Sequence, residues 1–258
     1  MSSWWQAFFD DAYLRIWEQV FPEETNAAQA RAIWAMLDLE AGCRVLDAPC
    51  GWGRLSKPLA EMGAVVVGAD QSEAMVRAAQ DKRGALGEDR LRYVRHDLRE
   101  RLEESGFDVA LNVFTSFGYG TEEEDEAIFR TLREAVRPGG RVLVETNHRD
   151  LMCSYISRGT KASTRLPDGT LFIDEAEFDA IGGVAQLNWY WSGPGGKGEK
   201  HANWRCYTPT EIVRLMQRAG LHFVGAYQGF SKIPFRSVGQ EAGGRLSVVG
   251  VREQGERG

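Results

Sequence analysis

Cysteine is scarce in this chain, and long apolar runs are absent. The four cysteines stand singly, at Cys43, Cys50, Cys153 and Cys206, without the paired spacing of a metal site or a disulfide framework. Such usage is typical of a reduced compartment and predicts a cytoplasmic protein. No apolar stretch approaches the ~20 residues that cross a bilayer, and the first residues lack a basic region followed by an apolar run. We therefore expect a soluble protein without membrane attachment.

Positive charge is also in short supply. The chain has 31 lysines and arginines against 37 acidic residues, which gives a net charge of −6. A broad basic surface for nucleic acid is therefore not expected. The sequence shows neither a nucleophile, base and acid arrangement nor a metal-ligand cluster, so we predict no metal site. Its 258 residues, 43% of them hydrophobic, suffice for one domain-sized core with an insertion.

The chain is organised around Val45–Arg54, an apolar strand that runs into a glycine turn and then into a helix. Asp47 follows the apolar residues, at the carboxyl end of the strand, where open α/β sheets bind their ligands. Gly51 and Gly53 lack a Cβ, so a ligand can lie directly against the backbone. The helix that follows presents free amide groups. This pattern predicts a ligand-binding turn.

Two kinds of ligand fit such a turn. A nicotinamide dinucleotide is one, but its fingerprint wants a third glycine where Ser56 or Lys57 stands, and Asp47 would repel a pyrophosphate. A cationic ligand suits Asp47 better, and S-adenosylmethionine carries both a sulfonium and an ammonium. Val45 to Gly53 resembles the first motif of class I S-adenosylmethionine-dependent methyltransferases, although Trp52 replaces the usual small residue. A dinucleotide-binding oxidoreductase and a non-catalytic S-adenosylmethionine-binding protein are the alternatives.

Acidic residues end the next two predicted strands. Asp70 stands about twenty residues beyond the turn, a spacing that predicts hydrogen bonds to the ribose hydroxyls. The resemblance implies that Met75 packs on the adenine and that Asp97 binds its amino group. The predicted cofactor contacts are Tyr13, Trp17, Asp47, Ala48, Pro49, Gly51, Gly53, Asp70, Gln71, Met75, His96, Asp97, Leu98, Asn112 and Phe114.

A second glycine-containing loop, Asn112 to Tyr119, follows the fourth predicted strand at the same edge of the sheet. This stretch is similar to bacterial small-molecule methyltransferases, among them relatives of the amino-sugar N-methyltransferases. The resemblance implies methyl transfer from S-adenosylmethionine to nitrogen, oxygen or carbon of a small molecule. A neutral amine acceptor needs no general base. For a hydroxyl or carbon acid, His148 or Tyr119 is the predicted base, since histidine titrates near neutral pH; the alternative for His148 is a surface loop position without a catalytic role.

Aromatic residues recur every three or four positions from Trp4 to Val20, which predicts one amphipathic helix. Its aromatic face either covers the core or a subunit interface, or forms a lid over the cofactor through Tyr13 and Trp17. We expect a monomer or a homodimer.

The alternation of strands and helices stops between Leu151 and Cys206. Short strands and glycine turns there predict an antiparallel insertion. Trp189 and Trp191 fall on one face of a strand, where they either form a roof over a substrate or fill a core. The predicted substrate contacts are Phe117, Tyr119, Asn147, His148, Trp189, Trp191 and Arg205.

Together these patterns predict an α/β fold, a Rossmann-like seven-stranded mostly parallel sheet with helices on both faces. An antiparallel β insertion and an N-terminal helical lid complete it. The predicted segments are a lid (1–40), an S-adenosylmethionine-binding core (41–150), a substrate roof (151–207) and the last part of the core (208–258).

Overall fold

The computed structural model describes residues 4–157, 161–236 and 245–254. These residues form a seven-stranded sheet and a four-stranded sheet, called sheet A and sheet B. The strands are β1 (Arg44–Asp47), β2 (Val65–Asp70), β3 (Leu91–Arg95), β4 (Phe107–Asn112), β5 (Val136–Thr146), β6 (Lys161–Arg165), β7 (Leu171–Asp179), β8 (Val184–Gly193), β9 (Gly196–Arg205), β10 (His222–Gln228) and β11 (Leu246–Val251). The helices are α1 (Trp5–Phe8), α2 (Asp11–Val20), α3 (Glu23–Met36), α4 (Ser56–Glu61), α5 (Glu73–Lys82), α6 (Glu122–Ala135), α7 (Arg149–Ser157) and α8 (Pro209–Arg218).

Sheet A has the strand order β10-β11-β5-β4-β1-β2-β3. All its neighbours pair in parallel except β11, which is antiparallel to both β5 and β10. Helices cover both faces of the sheet. Consecutive strand residues such as Val45 and Leu46, which point to opposite faces, are therefore buried in separate hydrophobic cores. Burial on both sides is why these strands read as continuous apolar runs. The predicted Rossmann-like, mostly parallel sheet is confirmed.

The parallel strands of sheet A bring their carboxyl ends to one edge. Asp47, Asp70 and Asn112 are the last residues of β1, β2 and β4. Main-chain pairing of β1 with both β2 and β4 puts these three polar ends side by side. This edge carries the site.

Sheet B is antiparallel, with the order β6-β7-β8-β9, and confirms the predicted insertion. The sequence yielded no prediction for α7, which stands before β6 and buries Leu151 and Met152.

The prediction of one N-terminal helix was wrong. The side chain of Asp10 accepts hydrogen bonds from the N–H groups of Ala12 and Tyr13, both at 3.0 Å, and so starts α2 afresh after α1. Within the described residues, no helix is long and apolar enough to cross a membrane.

Candidate functional site

A cavity of about 580 Å³ opens at the carboxyl edge of sheet A. Its floor is formed by the residues that end β1 and β2 and by the loops that follow β4 and β5. Its cover is formed by the N-terminal helices α1 and α2 and by one face of sheet B. The cavity therefore lies where both glycine-containing loops, the N-terminal aromatic residues and the insertion meet.

Asp47 lines this cavity and has one carboxylate oxygen without a hydrogen-bond partner among the described residues. Its side chain is only 1% exposed, and Oδ2 accepts a hydrogen bond from the Ser56 hydroxyl at 2.5 Å. Oδ1 is buried and has no hydrogen-bond partner among the described residues. Burial raises the pKa of Asp47 to about 6, against the opposing effects of Ser56 and Arg54. An acceptor buried in this way is stabilised by a ligand that brings a cation or an N–H donor.

The two glycines of the turn have different roles. Gly51 has φ +54°, and a Cβ built there would meet no protein atom within 4 Å, because it would point into open space. Gly51 lines the cavity. Gly53 has φ +78°, and its Cβ would come within 2.3 Å of the Tyr93 hydroxyl. Gly53 does not line the cavity. A glycine is needed at this position because a larger residue would clash with Tyr93. Trp52 between them is buried and lines the cavity, with its ring 6.5 Å from that of Tyr13.

Asp70 connects the turn to the end of β2. Its Oδ2 accepts from the Gly51 N–H at 2.9 Å and its Oδ1 from the Ser72 N–H at 2.8 Å. Burial raises the pKa of Asp70 to about 6, although both backbone bonds act in the opposite direction. Met75, one turn into α5, is fully buried and also faces the cavity.

Asp97 lies further along the same edge, two residues beyond β3. The Arg99 guanidinium donates to both of its carboxylate oxygens and holds the pKa of Asp97 below its usual range. Arg99 also bonds Glu124 at 3.0 Å and lies 5.0 Å from the ring centroid of Trp5. Asp97 is therefore an ionised carboxylate on the cavity wall beneath the N-terminal cover.

The cover is an aromatic cluster. Tyr13 stacks on Trp189 of sheet B at 6.1 Å and lies 5.9 Å from Trp17. Two polar contacts hold the N-terminal segment in place: Ser72 Oγ donates to the Phe9 carbonyl at 2.7 Å, and Lys200 pairs with Asp10 at 2.9 Å. Burial raises the pKa of the Tyr13 phenol, so the ring faces the cavity as a neutral group.

The loop after β4 has an unusual backbone. Phe114 and Thr115 have φ of +68° and +58°, in a region that residues other than glycine rarely adopt. Glu145 at the end of β5 holds this conformation, since its Oε2 accepts from the Phe114 N–H at 2.8 Å and its carbonyl from the Thr115 N–H at 3.2 Å. Arg245 in turn donates to Glu145 and to Thr115 Oγ1. Such conformations cluster at binding sites, where the surrounding contacts stabilise them.

Arg54 is a cavity residue that the sequence prediction missed. Its guanidinium donates to Gln29 at 2.5 Å and lies 4.8 and 5.1 Å from the ring centroids of Phe21 and Phe114. Within the described residues no carboxylate forms an ion pair with it, and burial lowers its pKa. Trp17 packs on the same two rings, and its buried Nε1 donor has no partner in the described chain. The signal was present in the sequence, because Arg54 directly follows the glycine turn.

Most of the predicted site residues face the cavity. They are Tyr13, Trp17, Asp47, Pro49, Gly51, Asp70, Gln71, Met75, His96, Asp97, Leu98, Phe114, Phe117, Tyr119, Asn147 and Trp189. The remaining predicted residues are not part of its lining: Ala48, Gly53, Asn112, His148, Trp191 and Arg205.

His148 is the most consequential of these exceptions. Its side chain is 1% exposed, its ring lies 5.2 Å from that of Phe235, and the Leu151 N–H donates to Nδ1 at 3.4 Å. Burial lowers the pKa of the imidazole. The neighbouring Asn147 faces the cavity instead. In this structure His148 is buried outside the cavity lining, and its Nε2 has no hydrogen-bond partner among the described residues.

Two other predicted site residues outside the cavity lining, Asn112 and Arg205, make contacts within the protein. The Asn112 side-chain amide donates to the Ala48 carbonyl at 2.9 Å and so ties β4 to the glycine turn. Arg205 pairs with Glu122 and Glu211, at 3.4 and 3.3 Å, away from the cavity. The Asn112 Nδ2 donor and the Arg205 guanidinium are therefore occupied by protein contacts, whereas Asn112 Oδ1 is buried without a partner among the described residues.

Tyr119 lies inside the cavity, against the ring of Trp4 at 5.0 Å. Its hydroxyl donates to the Thr115 carbonyl at 2.6 Å. Burial raises the pKa of this phenol well above its usual range, so it stays protonated at neutral pH. Tyr119 is positioned to contact a ligand with its hydroxyl and ring.

The sequence of the central part matches a known family. Residues 45–140 match the model of the methyltransferase domain. This part of the chain is therefore similar to methyltransferase domains. The match begins at the strand that carries Asp47 and ends within β5, so it covers the floor of the cavity except for the loop after β5 and leaves out the cover.

Curated relatives match part of the chain. A ubiquinone biosynthesis O-methyltransferase of Rhizobium etli is 38% identical over 122 residues, which are 45% of this chain and 46% of that protein. One of Ruegeria pomeroyi is 30% identical over 183 residues, 70% of this chain and 60% of that protein. The chain thus spans about half the length of the rhizobial relative that it matches.

Solved structures share the whole fold. An S-adenosylmethionine-dependent methyltransferase from Clostridium acetobutylicum superposes with a TM-score of 0.77 at 14% identity, covering 95% of this chain and 99% of that one. An amino pentose methyltransferase from Micromonospora echinaspora, solved with its cofactor bound, gives 0.69 at 18% identity over 94% and 97%. At these identities the likeness shows the fold, over nearly the whole chain.

Proposed function

We propose that this protein is an S-adenosylmethionine-dependent methyltransferase that moves a methyl group to nitrogen, oxygen or carbon of a small molecule. The observation that carries the proposal is the buried, unpartnered Asp47 Oδ1 on the wall of a cavity, in a part of the chain that is similar to methyltransferase domains. A pyrophosphate placed at the turn would be repelled by this carboxylate, whereas a cationic ligand satisfies it.

The polar and apolar side chains along the edge of sheet A support the binding of S-adenosylmethionine there. We assign the methionine ammonium to Asp47, the ribose hydroxyls to Asp70, and the adenine to Met75 and Asp97. Gly51 supports this assignment, because the space in front of its missing Cβ is open. His96, Gln71 and Leu98 line the adenine end of the same edge.

Arg54 and Trp17 complete the methionine end of the site. Both contact the rings of Phe21 and Phe114, and both present donors without a carboxylate partner in the described residues. We assign the methionine carboxylate to this pair. An acceptor at Asp47 and donors at Arg54 and Trp17 match the two charges of an α-amino acid.

When bound, the cofactor supplies an electrophilic methyl group on a sulfonium. The chain orients the acceptor and excludes water, since Tyr13, Trp17 and Trp189 make an apolar cover over the turn. Aromatic faces also stabilise positive charge. Of the two predicted bases, Tyr119 lies in the cavity, and its protonated phenol suits hydrogen bonding to the acceptor rather than proton removal.

We further propose a small-molecule acceptor and no nucleic-acid partner for this monomeric or homodimeric cytoplasmic enzyme. The net charge of −6 and the cavity enclosed by aromatic side chains support a small acceptor. In the same proposal, segment 1–40 acts as the lid and segment 151–207 as the roof over the core segments 41–150 and 208–258.

Calorimetry with S-adenosylhomocysteine and with NADH tests the cofactor. We expect micromolar binding of S-adenosylhomocysteine and no binding of NADH; the reverse result would refute the proposal. Asp47→Asn, which keeps the shape but removes the charge, should weaken binding by tenfold or more. A panel of metabolite acceptors with radiolabelled S-adenosylmethionine then separates an enzyme from a protein that binds the cofactor without transferring a methyl.

A further inference from the structure

The cavity continues beyond the glycine turn to the inner face of sheet B. Along this face, Asp174 of β7 stands between Ala162 of β6 and Trp189 of β8 in the pairing register. The next row is apolar, with Ala176 opposite Leu187. The cavity-lining residues of sheet B are Lys161, Ala162, Asp174, Ala176, Leu187, Trp189, Ala202 and Trp204. Three alanines leave room on this face, and Asp174 places a carboxylate within it.

Asp174 has capacity for a ligand. One of its oxygens, Oδ1, accepts from Trp189 Nε1 at 3.0 Å. No described residue forms an ion pair with it. The Trp189 ring also packs on Tyr13 and Trp17, at 6.1 and 5.4 Å, so this carboxylate adjoins the aromatic cover of the proposed cofactor site.

The other charged groups of the lining are occupied by neighbours. Lys161 pairs with Glu175 at 2.7 Å, and Arg245 pairs with Glu145. Asp125 accepts from the Tyr207 hydroxyl at 2.6 Å. The remaining pairs join Arg99 to Asp97 and to Glu124. Asp125 also lacks a charged partner, but its other oxygen accepts from the Gly118 N–H at 2.7 Å. Once Asp47, Asp70 and Arg54 are assigned to the cofactor, Asp174 is the lining carboxylate of the described residues that has neither a charged partner nor protein hydrogen bonds to both of its oxygens.

We propose that Asp174 binds a positively charged amine of the methyl acceptor, with Trp189 as the adjoining aromatic wall. A cation there restores local neutrality to a half-buried carboxylate and lies against an aromatic face. An acceptor that carries a carboxylate at this position would be repelled. The inference rests on the proposed function and names the acceptor class for that cavity.

Three ring-matched probes test the charge requirement: cyclohexylamine, cyclohexanol and cyclohexanecarboxylate. Their binding is measured by ligand-observed NMR on the full chain, with and without S-adenosylhomocysteine. We expect the amine to bind and the acid not to bind. Asp174→Asn should weaken amine binding by about tenfold or more, because hydrogen bonds to charged groups contribute about 1.5–3 kcal/mol.

Glu177→Gln is the matched control. It makes the same chemical change on the same strand, but Glu177 alternates to the outer, exposed face of β7. Asparagine at 174 keeps an oxygen for Trp189 Nε1, and thermal unfolding of each variant verifies the fold. Equal binding of cyclohexanol and cyclohexylamine, or an unaltered amine affinity in Asp174→Asn, would overturn the assignment.

Tryptophan fluorescence in the same samples reports S-adenosylhomocysteine binding. If the nucleoside binds and the amine does not, only the acceptor assignment fails. If the nucleoside fails to bind, the proposed function fails, and the amine result in the nucleoside-free samples still decides whether Asp174 is a cation site.

Discussion

The backbone N–H of Gly51 donates to Oδ2 of Asp70 at 2.9 Å, across nineteen residues of sequence. This bond joins the glycine turn to the end of the neighbouring strand and so links two cavity-facing parts of the floor. The other oxygen of Asp70 accepts from the N–H of Ser72, the N-cap residue of α5. One carboxylate therefore connects the glycine turn, the end of β2 and the start of α5.

Asp70→Ala should weaken S-adenosylhomocysteine binding by more than tenfold, about 1.4 kcal/mol, because the proposed ribose acceptor is lost. Calorimetry measures the affinity, and the melting temperature reports the loss of the two backbone bonds. Asp89→Ala, a change at an exposed aspartate away from the cavity, is the control. Unaltered affinity in a folded Asp70→Ala protein would refute the ribose assignment.

Cofactor affinity should depend on pH. The folded pKa values of Asp47 and Asp70 are raised to about 6, above the ordinary value of 3.8. Without ligand, the stability from protonating these groups is present below their unfolded pKa and is lost as the pH rises through about 6. A cationic ligand favours the ionised forms.

The rise in melting temperature caused by saturating S-adenosylhomocysteine should consequently be larger at about pH 7.5 than at about pH 5. Asp47→Asn should reduce this difference, since one of the two titrating groups is gone. A ligand-induced shift that is the same at both pH values would contradict the burial of the two carboxylates as the cause.

The two glycines of the turn should respond differently to alanine. Gly51 and Gly53 both have positive φ, which costs alanine about 1–2 kcal/mol at either position. Gly53→Ala adds a clash with Tyr93, so it should lose a further ~1–3 kcal/mol of stability. Gly51→Ala should mainly lower the affinity for S-adenosylhomocysteine.

Chemical denaturation and calorimetry on the two variants separate these effects. Tyr93→Phe removes the closest clashing atom and should restore part of the stability of Gly53→Ala. Equal stability losses in the two alanine variants would show that the contact with Tyr93 is unimportant.

Variants of Arg54 test the proposed contact with one functional group of the ligand, the methionine carboxylate. Arg54→Met keeps an apolar stem against Phe21 and Phe114 but removes the charge. S-adenosylhomocysteine should bind it about tenfold or more weakly, whereas decarboxylated S-adenosylmethionine should bind wild type and variant alike. Arg54→Lys should lie between them, because lysine keeps the charge without the planar fork. If Arg54→Met weakens both ligands equally, Arg54 has a packing role.

His148→Gln should leave S-adenosylhomocysteine affinity within about twofold while lowering the melting temperature, since removal of a buried aromatic side chain costs packing energy. The same variant should retain the pH profile of methyl transfer once an acceptor is found. A loss of the alkaline or acidic limb of that profile would restore His148 as a proton-transfer group.

Much of this architecture could be predicted from local patterns. The apolar runs of β1 and β2 indicated strands buried on both faces, and parallel pairing then required Asp47 and Asp70 to meet at one edge. The break between α1 and α2 was also readable, because Asp10 is a strong N-cap residue. These features depend on residues close in sequence or on the common direction of neighbouring strands.

The side-chain directions beyond the strand ends were decided by tertiary packing. Asn147 and His148 are adjacent in sequence, yet one faces the cavity and the other is enclosed beside Phe235. Arg54 obtains its aromatic neighbours from the residue that follows α2 and from the loop after β4, and Asp174 faces the cavity through the register of an inserted sheet. A loop or an insertion has no periodicity that fixes its side chains relative to a distant strand, so only the folded contacts determine which of them reach the ligand.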